Sequence, residues 1–219
     1  MAIWTWSGLN WEKCPWHNLD KGNLKAMIYG CGPSLNTAPK TPEGYFRIVQ
    51  NMGFKSVEPH VWLGMDDPDF WDQDFFNSPF RKVLRGSFGG AEAKGQPVKD
   101  FPETYFIDVK AQSRDSVFLN RGLDCQFYWN KNTMQVAIHL ALYMGFKTIA
   151  FAGIDLQGDY FDKRELSDSK RAELNQLLKE EFTWLKWFAE VTEKTGITLE
   201  NYSENSRLNE IPNIRKMTK

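Results

Sequence analysis

Residues 133–155 read TMQVAIHLALYMGFKTIAFAGID, and this stretch decides the fold class. Val136, Leu140 and Tyr143 recur at helical spacing with Ala137 and Ala141 close beside them, which predicts a helix over 133–144. Gly145 stops that helix, and the near-continuous apolar run TIAFAGID opens three residues later at Thr148. A strand without polar alternation, fed directly by a helix, is the pattern of a buried parallel strand in an α/β sheet. Working outward, further strands are expected at 24–30, 45–51, 60–66, 82–86, 105–110 and 197–203, separated by turn chemistry. A second helix is expected over 167–195, where Leu174, Leu177, Leu178, Phe182, Leu185 and Phe188 trace an apolar stripe. The Gly- and Pro-rich text at 86–104 has no period and reads as a mobile loop. One continuous sheet in a single domain follows.

Composition narrows the function classes. The chain has 219 residues, 42% hydrophobic and 25% charged, in the range of one globular domain. Twenty-seven Lys and Arg against twenty-eight Asp and Glu leave a formal charge of −1, so no bulk field favours nucleic acid or a membrane surface. A local basic face could still come from Lys94, Lys99, Lys110, Arg114, Arg121 and Lys131. No apolar run approaches the ~18–20 residues of a membrane span, and the N-terminus lacks the order of a signal peptide, so a cytoplasmic protein is expected. Cys14, Cys31 and Cys125 are too few and too scattered for a disulfide framework or a zinc knuckle. Aromatic residues make up 15% of the chain, and Trp4, Trp6, Trp11 and Trp16 crowd the start. Those rings suit either a stacking surface for a sugar or base, or an N-terminal arm packed on the core or on a second copy in a homo-oligomer.

Four segments carry chemistry. Gly30-Cys31-Gly32-Pro33-Ser34 follows the first apolar strand, where two glycines permit a tight turn and Pro33 presets a first helical turn. The expected product is a row of outward amides at a helix start, suited to phosphate, with a bare tight turn as the alternative. The segment is neither the dinucleotide fingerprint nor a Walker loop, and Pro39 and Pro42 keep any helix there short. Asp66-Asp67-Pro68 closes the third strand, where a carboxylate could meet a ribose or a metal, or could cap a helix. Asn132-Thr133 precedes the clearest helix, as a cap or as an amide presented to a base. Gly153-Ile154-Asp155 ends the apolar strand and leads into a loop in which Asp155, Asp159 and Asp162 could gather a divalent cation. Tyr160 in the same loop could donate to a leaving phosphate.

The order of these segments resembles the family that includes the archaeal-type 6-hydroxymethylpterin diphosphokinases. It is also similar to the bacterial lipooligosaccharide sialyltransferases, over roughly 24–206. The resemblance implies an α/β, Rossmann-like three-layer transferase with a mostly parallel sheet. Residues 1–22 would form the aromatic arm, 23–206 the nucleotide-binding domain and 207–219 a polar tail. It further implies that Gly30, Cys31, Gly32, Pro33 and Ser34 form the phosphate-side turn and that Asn51 ends the second strand beside the nucleotide. Asp67 matches the diphosphokinase Asp-Pro, and Asn132 with Thr133 matches a sialyltransferase Thr-Ser pair. Gly153 matches the strand-Gly-Ile-Asp step, Tyr160 a phosphate-steadying tyrosine, and Ser203, Asn205 and Ser206 a Pro-Asn-Ser near the last strand. Two departures stand out. Cys31 replaces the sialyltransferase Asn of that turn, and residues 156–196 hold no histidine where that family keeps its general base. A carboxylate, Asp66, Asp67 or Asp155, would then have to accept the proton.

Three functions are therefore expected in competition. The first is glycosyl transfer from a nucleotide-sugar co-substrate to an acceptor hydroxyl, with magnesium optional. The second is diphosphate transfer from ATP to a hydroxymethyl heterocycle, in which magnesium held by Asp67 and Asp155 would bridge the phosphates. The third is a catalytically silent nucleotide-binding protein. The acceptor classes open to the first two are a glycan, a small heterocycle and a modified nucleobase.

Overall fold

The computed structural model describes residues 3–16, 25–71, 73–93, 95–110, 127–128, 132–158, 160, 162 and 165–217. In chain order the elements are β1 (Ile3–Trp6), β2 (Trp11–Lys13), β3 (Lys25–Tyr29), β4 (Tyr45–Gln50), β5 (Val61–Leu63), α1 (Gln73–Phe76) and β6 (Arg81–Arg85). There follow β7 (Glu92–Ala93), β8 (Gln96–Pro97), β9 (Thr104–Ile107), β10 (Val109–Lys110), β11 (Phe127–Tyr128), α2 (Thr133–Tyr143), β12 (Thr148–Ala152), α3 (Asp168–Thr192), β13 (Thr198–Asn201) and β14 (Ile214–Lys216).

Ten strands form one sheet in the order β14-β13-β12-β3-β4-β5-β6-β9-β1-β2. Every pairing from β14 to β9 is parallel. The β1–β2 ribbon joins β9 antiparallel at one edge. The architecture is thus a large, mostly parallel sheet with helices.

The two faces of the sheet are covered differently. On one face Ala26, Ile28, Ile48, Ile149 and Phe151 pack against α2 and against Leu185, Phe188 and Ala189 of α3. Helix α2 is buried from Met134 through Tyr143, the polar Gln135 and His139 included. On the other face Tyr29, Val49 and Ala152 pack under Leu35, Ala38 and Val57, while Trp62, Leu84 and Phe106 pack under Trp71, Phe75, Val98 and Phe101. That second cover consists of short helical turns and the four-residue α1. Strands buried on both faces need cover, but the cover need not be a long helix.

Three expectations change. The 86–104 text is built into the fold: a turn of 3-10 helix at Gly86–Phe88, the β7–β8 hairpin and another 3-10 turn at Val98–Asp100. Its Ala93, Val98 and Phe101 are buried against the sheet, and single anchors of this kind leave no periodic signal. The aromatic arm supplies two sheet strands, with Trp16 buried against Tyr105 and Trp11 meeting Phe106 edge to face. The 207–219 tail contains a 3-10 turn and edge strand β14, which buries Leu208, Ile211 and Ile214. Its apolar residues are spaced too far apart to read as a strand.

Candidate active site

The strand order reverses between β3 and β12, because β4 follows β3 on one side while β12 lies on the other. In open parallel sheets a crevice forms outside the carboxyl ends of strands at such a switch point. Gly30 follows β3 and Gly153 follows β12, and the two turns interlock. Gly30 N–H donates to Ala152 O at 2.8 Å, and Gly32 N–H donates to Gly153 O at 2.7 Å. A Cβ on Gly30 would lie 2.5 Å from Gly153 O, so only glycine permits the contact. Gly153 itself has φ of +66°.

Above these turns lies a cavity of about 300 Å³. From the expected site residues it is lined by Gly30, Cys31, Gly32, Asn51, Asp66, Asn132, Thr133, Gly153, Asp155 and Tyr160. Gln50, Gln157, Leu174, Leu177, Leu178 and Glu181 join them from β4, the loop after β12 and α3. Strain gathers here. Asn51 and Leu156, both on the wall, have φ of +43° and +57°, a region that L side chains seldom occupy without an over-determining neighbourhood. Asn51 is held there by Trp62, whose indole N–H donates to Asn51 O at 2.8 Å. Four buried polar atoms on the wall lack a partner among the described residues: Gln50 Nε2, Asn51 Oδ1, Asp155 Oδ1 and Glu181 Oε1. Such groups cost about 1–3 kcal/mol each unless something completes them.

The row of free amides expected over Gly30–Ser34 is not available. Gly32 N–H is taken by Gly153 O, and Ser34 N–H donates to Asp155 Oδ2 at 2.8 Å. The Asp155 carboxylate therefore occupies the anion position at this short helix start, and Pro33 and Ser34 do not line the cavity. Burial pushes the Asp155 carboxyl above its ordinary value, against the hydrogen bonding from Ser34.

Another helix start does face the cavity. Asn132 caps α2, its side chain accepting from Met134 N–H at 2.8 Å. Asn132, Thr133 and Met134 all lie on the wall. The Thr133 and Gln135 amides have no acceptor within the helix, and the positive end of its dipole opens on the same space.

The Asp66-Asp67 ambiguity resolves by position. Asp67 caps the 3-10 turn Pro68–Phe70, accepting from Asp69 N–H at 3.0 Å, and lies off the cavity wall. Its carboxylate is engaged by that cap. Asp67→Ala is expected to cost about 1 kcal/mol through loss of the cap, checked by urea denaturation. Asp66 stands at the cavity rim, where partial burial raises its carboxyl against the opposing pull of Arg85.

Ser203, Asn205 and Ser206 also leave the site. Ser203 Oγ accepts from Ile154 N–H at 3.2 Å, Ser206 Oγ donates to Ile154 O at 2.6 Å, and Asn205 O accepts from Gln157 Nε2 at 2.5 Å. They brace the Gly153–Asp155 turn from behind. Among the described residues no three His, Cys, Asp or Glu side chains gather as a cation site. Asp159 lies outside the described residues, as do Lys94, Arg114, Arg121 and Lys131 of the basic face; Lys99 sits over the Trp6 ring. The tryptophans of β1 and β2 pack the sheet edge and are absent from the cavity wall. No helix among the described residues is long and apolar enough to cross a membrane.

Sequence reasoning missed Glu181. It lies four residues after Leu177, three after Leu178 and four before Leu185, at a position where the α3 stripe calls for an apolar side chain. A carboxylate inside an apolar stripe was the available signal. Glu181 is 2% exposed, and Gln135 Nε2 of α2 donates to its Oε2 at 3.2 Å. Burial pushes its carboxyl up to about 8, with the Gln135 hydrogen bond opposing.

No family model matches the sequence, and no curated protein matches it. Solved structures do. The sialyltransferase CstII from Campylobacter jejuni, in complex with the substrate analogue CMP-3FNeuAc, superposes with a TM-score of 0.52 at 16% identity, covering 90% of this chain and 89% of that one. The sialyltransferase CST-II in complex with a trisaccharide acceptor and CMP gives 0.52 at 16% identity, covering 89% of each chain. The monofunctional α-2,3-sialyltransferase Cst-I from Campylobacter jejuni gives 0.50 at 14% identity, covering 88% of this chain and 80% of that one. At such identities what is shared is the fold, so this chain has the α/β fold of these sialyltransferases.

Proposed function

We propose that the chain is a glycosyltransferase that moves a sugar from a nucleotide-sugar donor, CMP-linked in the first instance, to a hydroxyl of a glycan acceptor. The observation that carries this reading is the cavity at the β3–β12 switch point, with unpartnered polar groups on its wall and the amide end of α2 opening into it. The fold neighbours were crystallised with CMP, a CMP-sugar analogue and a trisaccharide, and we carry those ligand classes over as part of the proposal. The fold is read as Rossmann-like and three-layered, with short helical turns as its second outer layer. The cytoplasmic location expected from the sequence is kept as part of the same reading.

In this reading the leaving phosphate lies over the α2 start, against Thr133, with the Tyr160 phenol donating to it. Charge accumulates on that phosphate as the glycosidic bond breaks, so donors fixed in advance lower the barrier. Cys31, Gln50 and Asn51 face the nucleoside, and Asp66 at the rim reaches a sugar or ribose hydroxyl. Cys31 is oriented by a hydrogen bond from its Sγ to Gln50 O at 3.5 Å. Asp155 enters as the carboxylate that holds the Gly30–Ser34 turn.

A thermal-shift screen across CMP, UDP, GDP and ATP derivatives tests the donor. Selective stabilisation by one nucleotide class is expected, about 2.7 kcal/mol at a hundredfold excess over Kd. Incubation with a CMP-sugar and a glycan acceptor should then release CMP in the presence of EDTA. AMP release from ATP that requires magnesium would instead favour diphosphate transfer, and binding without turnover would favour the silent protein.

A further inference from the structure

We propose that Glu181 of α3, a buried carboxylate on the cavity wall, is the group that takes the proton from the acceptor hydroxyl. The inference rests on the glycosyl-transfer reading and deepens it. Its ground is geometric. Glu181 belongs to the cavity wall and is 2% exposed. One carboxyl oxygen, Oε2, is fixed by the Gln135 amide at 3.2 Å, while Oε1 has no partner among the described residues. The carboxylate is thus oriented through one oxygen and keeps unmet hydrogen-bonding capacity on the other, which an incoming hydroxyl would complete. Asp155 on the same wall also leaves one oxygen, Oδ1, unmet, but its other oxygen is committed to the Ser34 amide that holds the Gly30–Ser34 turn.

The surroundings set its basicity. From α2, Gln135 is neutral and the buried His139 has its imidazole held down to about 3, so it carries no charge. From the loop after β12 and the rim come Asp155, Tyr160 and Asp66, which share the cavity. On α3 itself Glu180 accepts from Gln176, and the guanidinium of Arg207 sits over the neighbouring Phe182 ring. Burial is the dominant influence on Glu181. A carboxyl that titrates near pH 8 is a far stronger base than an ordinary one, and it is matched to a working pH near neutrality in the way imidazole is.

The step balances simply. The Glu181 carboxylate removes the hydroxyl proton as the acceptor oxygen bonds to the anomeric carbon. The bond from that carbon to the phosphate oxygen breaks, and its electron pair leaves with the nucleotide. The proton on Glu181 returns to solvent after the products depart. Stability gives a second signature. The acid is protonated in the folded chain up to about pH 8 but ionises near 4.5 when unfolded. The folded state therefore binds more protons across that window, and stability falls as pH rises from about 4.5 to about 8, then levels.

The test compares the wild-type protein with Glu181→Gln, which keeps the volume and a hydrogen bond to Gln135, and with Glu181→Asp, which keeps a carboxylate. Donor binding is read by thermal shift, transfer by CMP release with acceptor, and protonation by the carboxylic-acid carbonyl band in the infrared at pH 7. Support requires that E181Q bind donor like wild type, lose the infrared band, lose transfer about 10²-fold or more, and lose the rising limb near pH 8. E181D should retain that limb with reduced kcat, and the melting temperature of E181Q relative to wild type should rise between pH 5 and 8. Wild-type transfer with the limb intact in E181Q would overturn the proposal, as would loss of donor binding or of the fold in E181Q together with an unaltered limb in E181D at full activity. A wild-type protein that no nucleotide sugar stabilises would instead defeat the parent reading, a different result in a different assay, and the proposal would fall with it.

Discussion

Replacing Gly30 with alanine is expected to destabilise the protein by about 3 kcal/mol, at the upper end of overpacking effects, and, under the glycosyl-transfer reading, to abolish stabilisation by the nucleotide donor. The new Cβ would lie 2.4 Å from Ile154 Cδ1 and 2.5 Å from Gly153 O. The isoleucine tip could turn aside, but the carbonyl belongs to a turn that also accepts Gly32 N–H and is braced from behind by Ser203 and Ser206 through Ile154. Relief therefore requires the ends of β3 and β12 to separate, which opens the cavity floor. Urea denaturation measures the loss. Gly90→Ala is the control, since nothing lies within 4 Å of the Cβ it would add. Equal midpoints for G30A and G90A would show that the two turns do not lock together as described.

The second large effect is expected at Tyr160, under the glycosyl-transfer reading. Tyr160→Phe removes one hydroxyl from the cavity wall and leaves the ring. If that phenol donates to the departing phosphate, its contribution grows as the bond to the sugar breaks, so kcat should fall about 10²-fold while donor affinity changes little. Steady-state kinetics with saturating donor separate the two parameters. A rise in KM at unchanged kcat would assign Tyr160 to ground-state binding alone. Because Tyr160 and Glu181 would act on opposite sides of the same carbon, one on the leaving group and one on the nucleophile, only the Glu181 variant should alter the pH profile.

The legible parts of this molecule were those where local pattern and tertiary demand agree. The helix ending at Gly145 and the apolar strand from Thr148 appeared as α2 and β12, because segments buried in the core are mostly apolar and so keep a readable period or run. The glycines at 30 and 32 marked a tight turn, and the cavity lies where that turn meets Gly153. The edges were not legible. Strands β1, β2 and β14 are short and partly exposed, so their composition carries little alternation to read. The cover over Trp62, Leu84 and Phe106 comes from isolated anchors in irregular chain.

At the site, sequence alone picked out the segments at the carboxyl ends of strands, namely the Gly30 turn, Asn51, the Asp66-Asp67 pair and the loop through Tyr160, together with Asn132 at the start of α2. Only the tertiary structure decided what each does. A local reading counts the amides of Gly32 and Ser34 as free for phosphate, but folding brings Gly153 O and the Asp155 carboxylate onto them, because a buried donor must be met by whatever acceptor lies nearest. With those amides taken, the start of α2 is the helix end left facing the cavity. The packing of α3 on α2 places Glu181, more than twenty residues farther along the chain than Asp155, beside Gln135 at the cavity wall. Identity is written residue by residue, whereas basicity and free hydrogen-bonding capacity belong to the environment that distant segments create.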